Sequence, residues 1–186
     1  MKVLIACEFS GTVRDAFLAR GHDAVSCDML PTEAPGPHYQ GDVRDILGDG
    51  WDLLIGHPPC THLAVSGARW FPEKRQEQED ALAFVRLLLD APIRRVCIEN
   101  PVSIISSRIR KPTQIVQPWQ FGHPETKATC LWLNGLLPLQ PIVSGQWSEV
   151  EGREARIHKM PPSPNRWKER SKTYPGIAKA MAEQWG

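Results

Sequence analysis

Short unbroken runs of apolar residues, each ending in residues that cannot continue a buried strand, constrain this chain most. Lys2-Val3-Leu4-Ile5-Ala6-Cys7, Trp51 to Gly56 (WDLLIG) and Arg94 to Ile98 lack the polar alternation of a half-exposed strand. Each therefore needs cover on both faces, which is the condition of a parallel strand between layers of helices. The segments between them supply those helices. Thr12 to Arg20 places Val13, Ala16 and Phe17 on one helical face with Gly21 as C-cap, and Glu77 to Leu89 does the same with Ala81, Phe84, Val85, Leu88 and Leu89. His22 to Cys27 reads as a strand closed by Asp28, Cys130 to Leu133 as a later strand, and Ile177 to Trp185 as a closing helix. Strands and helices alternating in this way predict an α/β fold with a doubly wound, mostly parallel sheet.

The chain has 186 residues, which predicts one domain over 1–186. Within it, residues 144–170 are Pro-rich and basic with little apolar periodicity, and read as a loop or small appended segment. No stretch approaches the roughly 20 apolar residues of a membrane span, and the N-terminal run is shorter than a signal-peptide core; the expectation is a cytoplasmic protein without a membrane partner. Five cysteines, odd in number and without a Cys-x-x-Cys pair, argue for reduced thiols rather than a disulfide framework or a zinc ribbon. The net charge of +1 hides an asymmetry: residues 1–100 carry 10 basic and 15 acidic side chains, the remainder 12 and 6. An acidic half joined to a basic tail suits a tail that faces phosphate, and equally a solvated surface.

The chemistry sits where the strands stop. Residues 1–28 run strand, Gly-containing turn, helix, strand, Asp28, the layout of a nucleotide-binding βαβ unit whose carboxylate meets a ribose hydroxyl. After the strand at 51–56, Pro58 and Pro59 force a rigid loop that carries Cys60 between His57 and His62. Glu99 follows the next strand at the equivalent position. In a parallel sheet these ends can face one crevice, where a thiolate could attack and a carboxyl group donate a proton or hydrogen bond to a nitrogen of the group being attacked. Taken one at a time, Cys60 also reads as a small apolar residue and the histidines as ordinary loop residues; a zinc site there lacks a fourth ligand.

Together these residues resemble the cytosine carbon-5 DNA methyltransferases. The family's Gly-x-Pro-Pro-Cys is matched by Gly56-His57-Pro58-Pro59-Cys60, with Ser66-Gly67 a few residues later, and its Glu-Asn-Val by Glu99-Asn100-Pro101. Its Phe-x-Gly-x-Gly loop is similar to Phe9-Ser10-Gly11-Thr12-Val13, its acidic residue after the second strand to Asp28, and its Gly-Asp-Ile to Gly41-Asp42-Val43. Pro124 to Thr129 resembles the Pro-Gln-x-Arg-x-Arg segment, and Ser171 to Pro175 the last loop before the terminal helix. Val13, Thr61, Lys127 and Thr129 depart from the pattern, and only about 40 residues separate Thr129 from Ser171, where the family carries a large target-recognition domain. The match is thus to a small, phage-like member.

The resemblance implies a Rossmann-like S-adenosylmethionine-dependent methyltransferase acting on carbon 5 of cytosine in DNA through a Cys adduct. Cys60 would be the nucleophile, Glu99 its acid partner, and Lys127 would support them. Phe9, Ser10, Gly11, Asp28, Asp42, Pro58 and Tyr174 would hold S-adenosylmethionine; His62, Ser66, Asn100 and Thr129 would face the substrate. No metal is implied. The base must be flipped out of the duplex or arrive single-stranded. Without a full recognition domain, readout falls to a homodimer or a separate recognition partner, or the substrate is a free pyrimidine nucleotide. The departures leave a third option, a catalytically silent DNA- or cofactor-binding module. The related amino-methyltransferases carry an aromatic residue where this chain has Cys60, which favours thiolate chemistry. Seven tryptophans, with Trp147 and Trp167 in the basic stretch, suit stacking on single-stranded or flipped bases as well as core filling.

Overall fold

The computed structural model of the chain describes residues 1–142 and 153–186. A seven-stranded sheet carries the fold: β1 (Lys2–Ala6), β2 (Asp23–Asp28), β3 (His38–Gln40), β4 (Leu53–Gly56), β5 (Arg95–Pro101), β6 (Gln114–Val116) and β7 (Thr129–Asn134), in the spatial order β3-β2-β1-β4-β5-β7-β6. The five strands from β3 to β5 are mutually parallel, with Val3 opposite Ala24 on one side and Leu53 on the other. The chain winds outward from β1 through β2 to β3, then returns to the other side of β1 through β4 and β5. The expected doubly wound sheet is present, and its switch point lies between β1 and β4.

Helices cover both faces. Alternate residues of β1 point to opposite layers: Val3 and Ile5 pack with Val13 and Phe17 of α1 (Thr12–Leu18) and with the last helix, whereas Leu4 and Ala6 pack with Leu82, Val85 and Leu88 of α2 (Arg75–Leu89). This two-sided burial is the reason the strand is apolar at every position from Val3 to Ala6. Among the described residues no helix is long and apolar enough to cross a membrane.

Several elements differ from the sequence expectation. β3 falls inside the Pro-rich stretch after Asp28, and β6 lies in the polar region beyond Ser103, preceded by α3 (Ile105–Arg108). β7 runs antiparallel to both β5 and β6, so one end of the sheet is mixed. Of the segment 144–170, residues 153–170 contain two short helices, α4 (Arg156–Lys159) and α5 (Arg166–Ser171), followed by α6 (Pro175–Trp185). Residues 144–152, with Trp147, lie outside the described residues.

Candidate active site

The switch point brings the loops after β1 and β4 side by side. Cys7 turns the chain out of β1 at φ 59, and the next side chain, Glu8, is buried. Its two carboxylate oxygens accept hydrogen bonds from the backbone N–H groups of Val13 (2.7 Å) and Arg14 (3.2 Å). The first turn of α1, which in many doubly wound proteins faces a ligand anion, is thus capped by the chain's own carboxylate. Gly11 stands before α1 at φ 77, and a Cβ there would lie 2.5 Å from a guanidinium nitrogen of Arg14. Arg14 is fully buried and donates to Asp15, Ser26, Thr32 and the carbonyls of Ala34 and Pro35, which ties the Pro-rich loop to α1.

A cleft of about 420 Å³ lies at the ends of β1, β2 and β4, lined by Cys7, Asp28, Met29, Asp42, Pro59 and Phe84, among others. Asp28 ends β2 and accepts from the backbone N–H of Leu30 at 2.9 Å; burial pushes its carboxyl above the usual range. Asp42 caps the turn that follows β3 and pairs with Arg44, which holds its carboxyl below that range. Phe9 and Ser10 line a separate, smaller cavity of about 40 Å³ with Glu8, His57, Lys172 and Thr173; Cys7 borders both spaces. The Phe9 ring is buried against Trp167 at 6.1 Å, tilted by 58°.

Across the crevice, β4 and β5 are in register at Gly56 and Ile98, which sets the next residues, His57 and Glu99, side by side. His57 Nδ1 and Glu99 Oε2 are 2.7 Å apart, and both side chains are almost wholly buried. Burial alone would discharge both. The hydrogen bond and opposite charge outweigh it, so the His57 pKa is raised, with Glu8 adding, and the Glu99 pKa is lowered, with Lys127 and Thr173 adding. His57 Nε2 is buried without a partner. Asn100, also buried, donates from Nδ2 to the Pro58 carbonyl at 2.8 Å and so braces the Pro-Pro-Cys loop from β5. Cys60 itself is exposed at the crevice, its carbonyl accepting from Leu63 and Ala64. The surrounding protein pushes its thiol up and Glu99 adds to this, against the pull of Lys127 and Arg170.

The remaining expected site residues line neither cavity. Lys127 donates from Nζ to the Arg170 carbonyl at 2.9 Å, joining the segment before β7 to α5. Tyr174 is buried and donates to Glu125 at 2.7 Å, which pushes its phenol up beyond what burial alone does. Thr129 is buried in β7 with its hydroxyl on the Lys127 carbonyl. His62 has a buried, unpartnered Nδ1, and Ser66 is exposed on the 3₁₀ turn after Cys60. Among the described residues, no group of three or more His, Cys, Asp or Glu side chains could hold a metal ion.

No protein-family model matches the chain, and no curated protein does. The chain is similar to a solved structure from E. coli, provisionally described as a DNA modification methyltransferase encoded within a prophage, with 16% identity and a TM-score of 0.44. The match covers 72% of this chain and 46% of the other, so the chain spans about half of that protein's length.

Three residues central to this geometry were not among the expected site residues. Glu8 and Arg14 resemble surface charges in a single sequence, and Arg14 is marked only by its complete burial. His57 was visible beside the two prolines, but its partner lies 42 residues away and is chosen by strand register. A charged residue directly after an apolar run at the switch-point strands is the signal that would have found Glu8 and His57.

Proposed function

We propose that this crevice binds S-adenosylmethionine and methylates carbon 5 of cytosine in DNA through a covalent adduct at Cys60. The observation that carries the reading is the placing of Cys60 and Glu99: Glu99, buried and charged, lies near the end of β5, and Cys60, exposed, lies on the loop after the adjacent parallel β4, where Pro59 lines the cleft with Asp28 and Asp42. That cleft suits an adenosine group, since its carboxylates accept hydrogen bonds from ribose hydroxyls or an amino group. When bound, S-adenosylmethionine supplies an electrophilic methyl group.

The residues of the chain perform the rest. Lys127 and Arg170 favour the Cys60 thiolate, which attacks carbon 6 of the ring and moves the electrons of the 5,6 double bond toward carbon 5. Glu99 faces the ring nitrogen, and the proton it shares with His57 passes to that nitrogen as negative charge develops there, leaving a neutral His57 beside the Glu99 carboxylate. After carbon 5 has gained the methyl group its proton passes to solvent water, the double bond re-forms, the Cys60 thiolate leaves and the ring nitrogen returns its proton to the His57–Glu99 pair. Asn100 keeps the nucleophile loop in place through Pro58.

The test is methyl transfer from a labelled donor to duplex DNA, single-stranded DNA and deoxynucleotides, with nucleoside mass spectrometry to locate the methyl group. The expected product is 5-methylcytosine in DNA, lost in Cys60→Ala while calorimetric binding of S-adenosylmethionine persists. Undiminished turnover by Cys60→Ala overturns the reading, and so does methyl transfer to free nucleotides alone. Binding of S-adenosylmethionine and DNA with no transfer to any substrate marks a silent binding module instead.

A further inference from the structure

The crevice has a basic, aromatic rim that the proposed chemistry does not use. Trp167 on α5 is 54% exposed, although its ring rests on the buried ring of Phe9. Lys168 stands over both rings, its Nζ 5.8 Å from the Phe9 centroid and 5.7 Å from that of Trp167. The indole is therefore propped from beneath, with about half of its surface open to water.

The helix that presents it is joined to the reaction centre. Arg170 acts on the Cys60 thiol, its carbonyl is held by Lys127, and Thr173, just beyond α5, acts on Glu99. The charge of α5 is one-sided. Glu169 is paired with Lys172, which also holds Glu33 from the Pro-rich loop, whereas no carboxylate among the described residues pairs with Arg166, Lys168 or Arg170. An open indole among unneutralised cations meets the two recurring needs of a single nucleic-acid strand, a flat face for a base and positive charge for its phosphates. A second copy of the chain suits this face less well, because it would set the same cations against each other.

We infer that Trp167 is a stacking platform for an unpaired DNA base neighbouring the one presented to Cys60, with Arg166 and Lys168 on the flanking phosphates. This rests on the reading of the crevice as one that handles a base in DNA, but it concerns binding rather than transfer.

The experiment is fluorescence anisotropy of a labelled single-stranded oligodeoxynucleotide of roughly 12 nucleotides, a length within the usual single-strand site range. It is titrated with the full chain, Trp167→Ala and Trp167→Phe across several salt concentrations, with melting curves confirming that each variant folds. Trp167→Ala should weaken binding by about tenfold at an unchanged salt slope, and Trp167→Phe should stay within about threefold of the wild type, as stacking is sequence-tolerant and survives a smaller ring. The Arg166→Gln/Lys168→Gln double variant should reduce the log–log salt slope by about 1 to 2, one or two released counterions. Equal affinity of wild type and Trp167→Ala overturns the inference, as does no binding by the wild type, or a loss in Trp167→Ala that sedimentation traces to a changed oligomeric state. A Trp167-dependent affinity stands even where no substrate accepts a methyl group; methyl transfer to DNA with Trp167→Ala binding at full strength removes this inference and leaves the catalytic reading intact.

Discussion

His57 Nδ1 stands 2.7 Å from Glu99 Oε2 across the seam between β4 and β5, and the two buried groups keep each other charged. Because the His57 pKa is raised, its contribution to stability is complete below the ordinary value of 6.5 and is lost as pH rises through the raised value. The Glu99 pKa is lowered, so its contribution is complete above the ordinary 4.5 and is lost as pH falls through the lowered value. The pair therefore stabilises most between 4.5 and 6.5. Melting temperatures from pH 4 to 9 should show the wild type exceeding Glu99→Gln by the widest margin in that window, about 1–3 kcal/mol in stability. A margin that does not vary with pH would mean the pair is not charged.

Arg14 should be among the costliest side chains to shorten. Its guanidinium is fully buried and holds two carbonyls and two hydroxyls of neighbouring segments. Arg14→Met leaves those groups and Asp15 without their donor, a loss of about 3–5 kcal/mol by analogy with other broken buried charge networks. A urea midpoint close to that of the wild type would show that the Pro-rich loop holds itself.

Gly11 and Gly21 offer a matched comparison. Both adopt left-handed backbone, at φ 77 and φ 78, but a Cβ at Gly21 meets nothing within 4 Å whereas one at Gly11 lies against Arg14. Gly21→Ala should cost roughly 1–2 kcal/mol, the price of the backbone conformation alone. Gly11→Ala should cost clearly more. Equal losses in denaturant titrations would show that Arg14 moves aside freely.

Asn100 braces the Pro-Pro-Cys loop through Pro58, so its removal should be felt at Cys60. Asn100→Ala is expected to destabilise the fold by about 1–3 kcal/mol, because the Pro58 carbonyl is left without its buried donor. Cys60 is the exposed cysteine of the five, and modification by a thiol reagent should report on it first. Faster Cys60 labelling in Asn100→Ala would follow from a loosened loop; an unchanged rate would mean that the two prolines suffice.

Asp28 and Asp42 share the larger cleft but differ in their attachments. Asp42 is already paired with Arg44, while Asp28 accepts from the backbone N–H of Leu30 and is in no ion pair among the described residues. If S-adenosylmethionine binds there, calorimetry should show Asp28→Ala losing about tenfold or more in affinity, the loss of a hydrogen bond to a charged group. A larger loss for Asp42→Ala than for Asp28→Ala would reverse that order.

The unbroken apolar runs determined by themselves that β1, β4 and β5 would be buried on both faces, and hence that the fold would be α/β. The same local reasoning located α1, α2 and α6 to within a few residues and singled out Cys60 and Glu99. β3 and β6 escaped it because three residues are too few to show a period. The reversed direction of β7 escaped it because an apolar run carries no sign of which way its neighbour points. Tertiary structure alone decided the partners of the charged residues: Glu8 on the start of α1, Arg14 beneath Gly11, His57 on Glu99, Lys127 on α5. The physical reason is one of specificity. Burial of apolar side chains is proportional to area and indifferent to partner, so it is written in local pattern, whereas a buried charge survives only against particular hydrogen-bonding or charged partners, and those are brought near by the turn, strand register and helix packing.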